Sequence, residues 1–246
     1  MNRDVIEVRN LNFSYPDGTS ALKAIDFILR EGETVALIGP NGAGKSTFVL
    51  HLNGVLRGEG MVKVMGEEVD RSNIRRIRSK VGVVFQDPND QLFMPSIFDD
   101  VAFGPLNFGM PAQEVKSRVE KILDDMGLRK VCDKPPHHLS LGEKKNASLA
   151  TVLVLEPEIL ILDEPTSSLD PGARRIFIQL LNRLQVSKII ATHDLDLVYE
   201  LCSKVVLMNN GTIITQGETK DILRNKTLLE EHNLEIPASL LLNEKI

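Results

Sequence analysis

A nine-residue stretch at positions 39–47, Gly-Pro-Asn-Gly-Ala-Gly-Lys-Ser-Thr, constrains the fold of this chain more than any other feature. It follows an apolar run, residues 34–38, and precedes a helix-forming segment, residues 48–56. A strand, a glycine-rich turn and a helix in this order are the context in which the G-x-x-x-x-G-K-[ST] pattern marks a phosphate-binding loop. The sequence therefore predicts an α/β fold whose loop binds a nucleoside triphosphate.

Each residue type in this loop suits a polyphosphate. Backbone N–H groups can approach an anion where no Cβ blocks them, which accounts for the three glycines. The following helix points its unpaired N–H groups and positive dipole end at the same anion. Lys45 adds a full charge toward the β- and γ-phosphates, and the Ser46 hydroxyl suits Mg²⁺. The predicted nucleotide-binding residues of the loop are Gly39, Pro40, Asn41, Gly42, Ala43, Gly44, Lys45, Ser46 and Thr47.

Strands alternate with helices along most of the chain, which predicts a largely parallel sheet with helices on both faces. The pattern changes between residues 88 and 136. There Pro111 opens a predicted helix whose apolar residues fall on one face, and Gly127 ends it. A second helix is predicted to begin at Ser140 and to run to about residue 155.

Composition narrows the classes of function. A net charge of −5 argues against broad nucleic-acid binding, and we expect no nucleic-acid partner. Two scattered cysteines are too few for a disulfide framework or a zinc site. The first residues lead directly into a strand, so no signal peptide is expected. The most apolar region, residues 151–162, is interrupted by Glu156, Pro157 and Glu158. We therefore expect the chain to reach a membrane only through a partner.

Polar side chains end three of the predicted strands. Asp163 can hold Mg²⁺ through its water shell, and Glu164 is placed to polarise a water that attacks the γ-phosphate. The alternative is a pair of acids that opens a surface turn before Pro165. His193 is a candidate γ-phosphate sensor, and the Gln86 amide could contact both the metal and the attacking water. The predicted catalytic residues are Glu164, His193 and Gln86. The predicted metal ligands are Ser46, Gln86 and Asp163.

Ser140 and Glu143 admit two interpretations. As local structure they form a capping box, in which Ser140 caps the third amide of the helix and Glu143 reaches back. As function they mark a second helix N-terminus that could bind an anion. One γ-phosphate cannot easily lie on two helix N-termini of a single chain. The second N-terminus would more naturally serve a nucleotide bound to another copy.

Together these residues resemble the ATP-binding subunits of ABC transporters, over about residues 5–217. Residues 39–47 are similar to the Walker A loop, and Asp163 with Glu164 to the Walker B motif and its catalytic glutamate. Gln86 matches the Q-loop and His193 the H-loop. The resemblance implies ATP and Mg²⁺ as cofactors.

Further positions extend the resemblance. Tyr15 stands where the family stacks an aromatic ring on adenine, and Asp170 belongs to the D-loop. Ser140 and Gly142 belong to the signature motif, which would bind the nucleotide of a facing chain. Three residues depart from that motif. The departures are Leu141 for a glycine, Glu143 for a glutamine and Asn146 for an arginine.

The resemblance implies a fold and a division of the chain. The fold class is α/β: a P-loop NTPase core with a parallel sheet, a flanking antiparallel β subdomain and a helical insert subdomain. One ABC ATP-binding domain would cover residues 1–246. The implied parts are the core with its antiparallel subdomain (1–88 and 157–220), the helical subdomain with the signature motif (89–156) and a C-terminal helical tail (221–246).

Two segments, residues 85–93 and 100–107, are similar to the ATPases of energy-coupling-factor importers, and residues 138–145 lean toward the cobalt/nickel branch. The resemblance implies an ATPase coupled to transmembrane transport, peripheral at the cytoplasmic face of the cell membrane. Its partners would be a second ATPase chain, identical or different, and a transmembrane subunit. The apolar segment 90–108 would contact that subunit near Leu92 and Phe103.

Other functions remain open at this stage. A vitamin importer of the same type would carry the same motifs. A non-transport ABC-type ATPase of DNA maintenance or translation typically carries coiled-coil insertions, zinc modules or a second cassette, which this chain lacks. A non-hydrolysing partner subunit would account for Leu141 and Glu143, whereas the intact Lys45, Glu164 and His193 favour hydrolysis.

Overall fold

Two β-sheets and their helices make up the part of the chain that the computed structural model describes, residues 3–243. Residues 1–2 of the predicted core and 244–246 of the predicted tail lie outside the described residues. The strands are β1 (Asp4–Ser14), β2 (Ser20–Arg30), β3 (Thr34–Ile38), β4 (Glu59–Val64), β5 (Glu67–Glu68), β6 (Val81–Val84), β7 (Ile159–Asp163), β8 (Ser187–Ala191), β9 (Lys204–Asn209) and β10 (Thr212–Glu218). The helices are α1 (Lys45–Leu52), α2 (Ile74–Lys80), α3 (Ile97–Asn107), α4 (Ala112–Asp125), α5 (Leu141–Leu153), α6 (Pro171–Arg183), α7 (Leu195–Leu201), α8 (Thr219–Arg224), α9 (Lys226–Glu231) and α10 (Ala238–Asn243).

The central sheet has six strands in the spatial order β10-β9-β3-β8-β7-β6. Strands β9, β3, β8, β7 and β6 are mutually parallel, and β10 adds an antiparallel edge through the β9–β10 hairpin. A second, antiparallel sheet has the order β2-β1-β4-β5. The predicted fold class, a parallel-sheet core with a flanking antiparallel sheet and a helical insert, is confirmed.

Alternate residues of the central strands enter two different cores. On β7, Ile159 and Ile161 face the antiparallel sheet and α1, whereas Leu160 and Leu162 face the helices on the other side. This division follows from the two-residue period of a strand, which points successive side chains to opposite faces. Because both faces are covered, the middle residues of these strands are apolar and do not alternate with polar residues.

The parallel strands end at one common edge of the sheet. The glycine-rich loop follows β3, Gln86 lies just after β6, Glu164 follows β7, and His193 lies just after β8. In open α/β sheets a ligand binds in the crevice outside these carboxyl ends. The topology therefore brings together residues as far apart in the chain as Gly39 and His193.

The helical lobe contains α3, α4 and α5. Helix α4 buries Val115, Val119 and Leu123 on one face, as its periodicity predicts. Helix α3 was not predicted, although Ser96 caps it by accepting a hydrogen bond from the Asp99 amide (3.1 Å). Pro105 lies inside this helix and weakens its sequence signal, because proline removes a backbone donor. Packing of the apolar face compensates for that loss.

The C-terminal helices α8, α9 and α10 lie against the core beside α7. Leu223, Leu229 and Leu240 are buried there, which ties the segment to the central sheet. Among the described residues, no helix combines the length and the apolar character that crossing a bilayer requires.

Candidate functional site

An open pocket of about 400 Å³ lies at the carboxyl edge of the central sheet. Most of the predicted site residues line this pocket, and they come from positions between 15 and 193 of the chain. The lining residues are Tyr15, Thr19, Ser20, Ala21, Asn41, Gly42, Ala43, Gly44, Lys45, Ser46, Thr47, Gln86, Asp163, Glu164 and His193.

The glycine-rich loop is closely packed on its inner side. Gly39 has a φ of +145°, and a Cβ there would lie 2.1 Å from the Met208 carbonyl oxygen. Gly44 caps α1 with a φ of +101°, and a Cβ there would lie 2.7 Å from the Ala21 carbonyl oxygen. Only glycine meets both the backbone conformation and the space at these two positions. The loop therefore holds its shape before any ligand binds.

Lys45 lies within the curve of the loop. Its Nζ donates to the carbonyl oxygens of Gly39 (2.7 Å) and Pro40 (3.1 Å). Burial lowers the pKa of this ammonium, and the nearby carboxylates of Glu164 and Asp163 oppose that shift. A phosphate chain bound in the loop would supply the negative charge that a desolvated ammonium requires.

The surroundings of the Asp163 side chain are suited to binding a cation. Its Oδ1 is buried without a hydrogen-bond partner among the described residues. Burial raises the pKa of this carboxyl, hydrogen bonding to Ser46 opposes the rise, and the Glu164 charge adds to it. An unsatisfied carboxylate oxygen beside a serine hydroxyl is the hard oxygen donor set that Mg²⁺ prefers. Asp163 and Ser46 therefore fit a magnesium ion.

Glu164 is held firmly although it stands at the end of a strand. Its backbone is left-handed (φ 43°), and its N–H donates to the Ala191 carbonyl (2.8 Å). The Thr192 hydroxyl donates to Oε2 (2.9 Å), and the His193 backbone N–H donates to Oε1 (3.1 Å). The His193 ring Nδ1 also lies 2.8 Å from Oε1. These contacts fix the position of the carboxylate at the edge of the sheet.

Tyr15 and Gln86 both line the pocket. The Tyr15 hydroxyl is 2.9 Å from Thr47 Oγ1, and its ring meets Phe13 edge-on at 5.0 Å. The residue is 37% exposed, so part of it remains accessible at the pocket. The Gln86 side chain is exposed and joins the lining from the end of β6.

Ser140, Gly142 and Asp170 do not line this pocket. Ser140 caps α5 in a full capping box: its N–H and Oγ donate to Glu143 Oε2 at 2.8 and 2.7 Å. A Cβ on Gly142 would lie 3.2 Å from the Ala173 Cβ, so glycine allows α5 to approach α6 closely. The Asp170 carboxylate caps α6, accepting from the amides of Gly172 and Ala173 (2.9 and 3.0 Å).

Three residues that contact this site were missed in the sequence. Thr192 holds Glu164 as described. Lys145 is buried and donates to the carbonyl oxygens of Gln86 (2.7 Å) and Glu164 (3.2 Å). Gln91 donates to the Ser148 carbonyl (2.8 Å) and accepts from the Phe85 amide (3.2 Å). Lys145 had a sequence signal, because it occupies the buried helical stripe of α5 at the spacing i, i+4, i+7 with two apolar residues.

Comparison with known proteins agrees with the geometry. The ABC transporter family profile matches residues 22–167. A putative ABC transporter ATP-binding protein of Geobacter sulfurreducens is 49% identical over 241 residues, covering 98% of this chain and 97% of that protein. The energy-coupling factor transporter ATP-binding protein EcfA of Carboxydothermus hydrogenoformans is 46% identical over 243 residues, covering 97% of this chain and 90% of the relative.

Solved structures show the same fold. The cbiO1 protein of Clostridium perfringens, described as part of the ABC transporter complex cbiONQ, is 40% identical with a TM-score of 0.82. The similarity covers 99% of this chain and all of that one. The ATP-binding cassette MJ0796, in a dimeric post-hydrolysis state bound to ADP and Pi, is 25% identical with a TM-score of 0.79. It covers 87% of this chain and 98% of MJ0796.

Proposed function

This chain belongs to the ATP-binding subunits of ABC transporters and is an ATPase coupled to transmembrane transport, and from this premise we propose how it works and what it serves. Its full-length similarity to EcfA proteins supports the energy-coupling factor type. We propose that it closes on ATP with a second ATPase chain, reopens after hydrolysis, and so drives an importer. The observation that carries this proposal is the held carboxylate of Glu164 beside the phosphate loop.

The chemistry is assigned to the residues of the pocket. Glu164 orients the attacking water and accepts its proton, because its carboxylate is fixed by Thr192 and His193. His193 contacts the γ-phosphate from the same edge, and Gln86 reaches the site from β6. Mg²⁺, held by Ser46, Gln86 and Asp163, would neutralise charge that develops on the transferred phosphoryl group.

Nucleotide binding is assigned to the loop and to the aromatic side chain beside it. Backbone N–H groups of residues 41–47 surround the phosphates, and the α1 N-terminus faces them. The Lys45 ammonium exchanges its loop carbonyls for phosphate oxygens when a nucleotide binds. Tyr15 lines the same pocket, where its ring can stack on adenine.

The second ATPase chain completes the site from outside. Ser140 and Gly142 lie at the α5 N-terminus, on a surface apart from the chain's own pocket, where they can meet the nucleotide of a facing copy. Asp170 lies on the same side, at the start of α6. Hydrogen bonds from Ser140 lower the pKa of Glu143, which is therefore charged and turned into its cap. This capping keeps the negative charge of Glu143 engaged within the helix.

The transmembrane partner is assigned to an exposed apolar patch on the helical lobe. Phe93, Phe103 and Leu106 form this patch, with the Phe93 and Phe103 ring centroids 5.0 Å apart. Leu92, one of the two predicted contact positions, is only 5% exposed and belongs to the core. We propose that a short cytoplasmic helix of the transmembrane subunit covers Phe93 and Phe103, which places this chain at the cytoplasmic face of the membrane.

For the cargo we propose cobalt or nickel ions. The support is the likeness of residues 138–145 to the cobalt/nickel branch and the 40% identity to cbiO1, a part of cbiONQ. Uptake of radiolabelled Co²⁺ and Ni²⁺ into cells that carry the assembled complex tests this, with Glu164→Gln as the inactive control. We expect uptake that the Gln variant abolishes. Vitamin uptake without metal uptake would keep the ATPase assignment and overturn the cargo.

A further inference from the structure

A buried lysine outside the nucleotide pocket connects the catalytic edge to the helical lobe. Lys145, in the second turn of α5, is 1% exposed. Its Nζ donates to the Gln86 carbonyl (2.7 Å) and the Glu164 carbonyl (3.2 Å), and Ser167 Oγ lies 3.5 Å away. An ammonium has three N–H donors, and here each has an acceptor.

These acceptors belong to two separate segments of the chain, the end of β6 and the loop between β7 and α6. Gln86 follows β6, Glu164 follows β7, and Ser167 lies in the loop before α6. Ser167 Oγ also donates to the Glu164 carbonyl at 2.9 Å. The ammonium thus fixes the main chain of the two proposed catalytic residues from one point on α5.

Lys188 provides a structural comparison within the same chain. It is also buried, at the amino end of β8, but among the described residues its ammonium donates only to nearby carbonyls, those of Leu184 (2.7 Å) and Val186 (3.1 Å). Lys145 instead bonds to residues 59 and 19 positions away. Burying a lysine is costly, and a charge placed at such a junction indicates a positional role.

Surrounding charges favour the ammonium at this junction. Burial lowers the pKa of Lys145, and the carboxylates of Asp87, Glu164 and Asp163 act in the opposite direction. Gln91 adds a neutral link between the same two parts, from α5 to the Phe85 amide beside Gln86. Helix α5 is therefore joined to the end of β6 by two side chains.

We propose that Lys145 is a positioning residue for ATP hydrolysis, which holds the main chain of Gln86 and Glu164 in register with helix α5. The inference rests on the proposed function. Helix α5 begins at Ser140, the residue assigned to the nucleotide of a facing copy, about 7.5 Å from Lys145 along the helix axis. A rigid helix that shifts when this N-terminus binds an anion moves both carbonyls through Lys145. The two half-sites are thereby coupled.

The test compares two variants, Lys145→Met and Lys188→Met. Lys188→Met is the control, because it also removes a buried ammonium, but one that bonds to neighbouring residues of the chain. Steady-state ATPase rates and thermal unfolding are measured for both. We expect Lys145→Met to lower kcat by about 10–100-fold with KM for ATP nearly unchanged, since small misplacements of reacting groups cost rates of that order. Lys188→Met is expected to lower thermal stability and to leave kcat near that of the wild type.

A third variant, Lys145→Gln, keeps N–H donors without the charge and is expected to recover part of the lost rate. If Lys145→Met does not fold, Lys145→Gln is measured in its place. Its kcat is expected to lie between that of the wild type and that of Glu164→Gln. A Lys145 variant that folds and retains the kcat of the wild type overturns the inference. If instead the Glu164→Gln variant hydrolyses ATP at the rate of the wild type, the proposed function is overturned.

Discussion

At the residue scale, the site depends on a carboxylate that is held before substrate arrives. Glu164 receives hydrogen bonds from Thr192 and from the His193 backbone, and its own amide is tied to β8. Because the acceptor is already in position, little free energy of reorganisation is needed when it deprotonates the water. Asp163, next to it, has a carboxylate oxygen with no hydrogen-bond partner within residues 3–243. Two neighbouring carboxylates thus receive different environments: Glu164 is held by donors from the end of β8, and Asp163 has an oxygen available to a cation.

Replacement of the catalytic carboxylate is the first prediction. Glu164→Gln keeps the size and two hydrogen-bonding positions but cannot accept the proton. We expect ATP binding to persist and turnover to fall by roughly 10²–10⁴, about 3–5 kcal/mol of barrier. Lys45→Ala should lose ATP binding instead. Nucleotide titration and steady-state hydrolysis separate the two, and near-normal hydrolysis by the Gln variant would remove Glu164 from its role.

Gly39 carries the second prediction. Gly39→Ala places a Cβ 2.1 Å from the Met208 carbonyl oxygen, a backbone atom that cannot turn away. We expect the free energy of unfolding of the nucleotide-free chain to fall by more than about 2 kcal/mol. Gly18→Ala is the matched control, because Gly18 also has positive φ (+87°) but nothing within 4 Å of a Cβ. For Gly18→Ala, urea unfolding should show a loss of unfolding free energy of about 1 kcal/mol. Equal losses would contradict the steric argument.

At the element scale, helix α3 supports the exposed patch through a buried acid. The Oδ1 of Asp100 accepts from the amides of Phe93 and Met94, both at 2.9 Å. Its Oδ2 is buried without a partner among the described residues. Burial raises the pKa of Asp100, whereas the two amides lower it. Asp100 thus fixes the turn that presents Phe93, and its charge is destabilising there.

The pH dependence of stability follows from that pKa. Because the folded pKa lies above the ordinary 3.8, the folded chain binds the proton more tightly than the unfolded chain. Stability contributed by this group is therefore lost as pH rises through the window between 3.8 and the raised value. Asp100→Asn cannot ionise, so its unfolding free energy relative to wild type should increase across that window. Urea unfolding at several pH values measures this, and a decrease with rising pH would contradict it.

The exposed patch gives a cross-linking prediction. In a chain with Cys132 and Cys202 replaced by serine, Phe93→Cys and Phe103→Cys should each cross-link to the transmembrane subunit. The buried position Leu92→Cys should not, since that side chain faces the core. Mass spectrometry of the cross-linked peptide identifies the partner segment. Equal reaction at all three positions would indicate local unfolding and not docking.

At the scale of the whole molecule, the two regions that bind phosphate in the proposal lie on different surfaces. The loop after β3 lies at the edge of the central sheet, and the Ser140 cap lies at the start of α5 in the helical lobe. A second chain that faces the first in the opposite direction brings one of each together. The arrangement accounts for both helix N-termini with a single nucleotide between them.

Dimer formation is the prediction at this scale. With Glu164→Gln and ATP, size exclusion should show conversion of monomer to dimer, and an added Ser140→Arg should abolish it by blocking the α5 N-terminus. Ser117→Arg, on an exposed face of α4, is the control and should leave the dimer intact. Mixing Lys45→Ala with Ser140→Arg chains leaves one intact half-site and should recover part of the activity. A fully active strict monomer would refute the shared site.

Some features follow from local sequence alone. The glycine-rich loop, the capping box at Ser140 and the amphipathic pattern of α4 depend on residues within one or two turns of each other, so sequence spacing predicts them. Local periodicity also predicts the order of strands and helices, whereas the family and its fold class followed from motifs that resemble those of ABC transporter subunits. Helix α3 was the exception, since Pro105 weakens its local signal and only packing offsets the cost.

Other features were decided by tertiary structure. The Glu164–Thr192 bond requires β7 to lie beside β8, and the Lys145 contacts require α5 to dock across the ends of β6 and β7. Leu92 and Phe93 are adjacent and both apolar, yet only the packing of α3 and α5 buries the first and exposes the second. Such contacts join residues far apart in the chain, and their energies exist only once the intervening segments have folded. That is the physical reason why sequence spacing could not predict them.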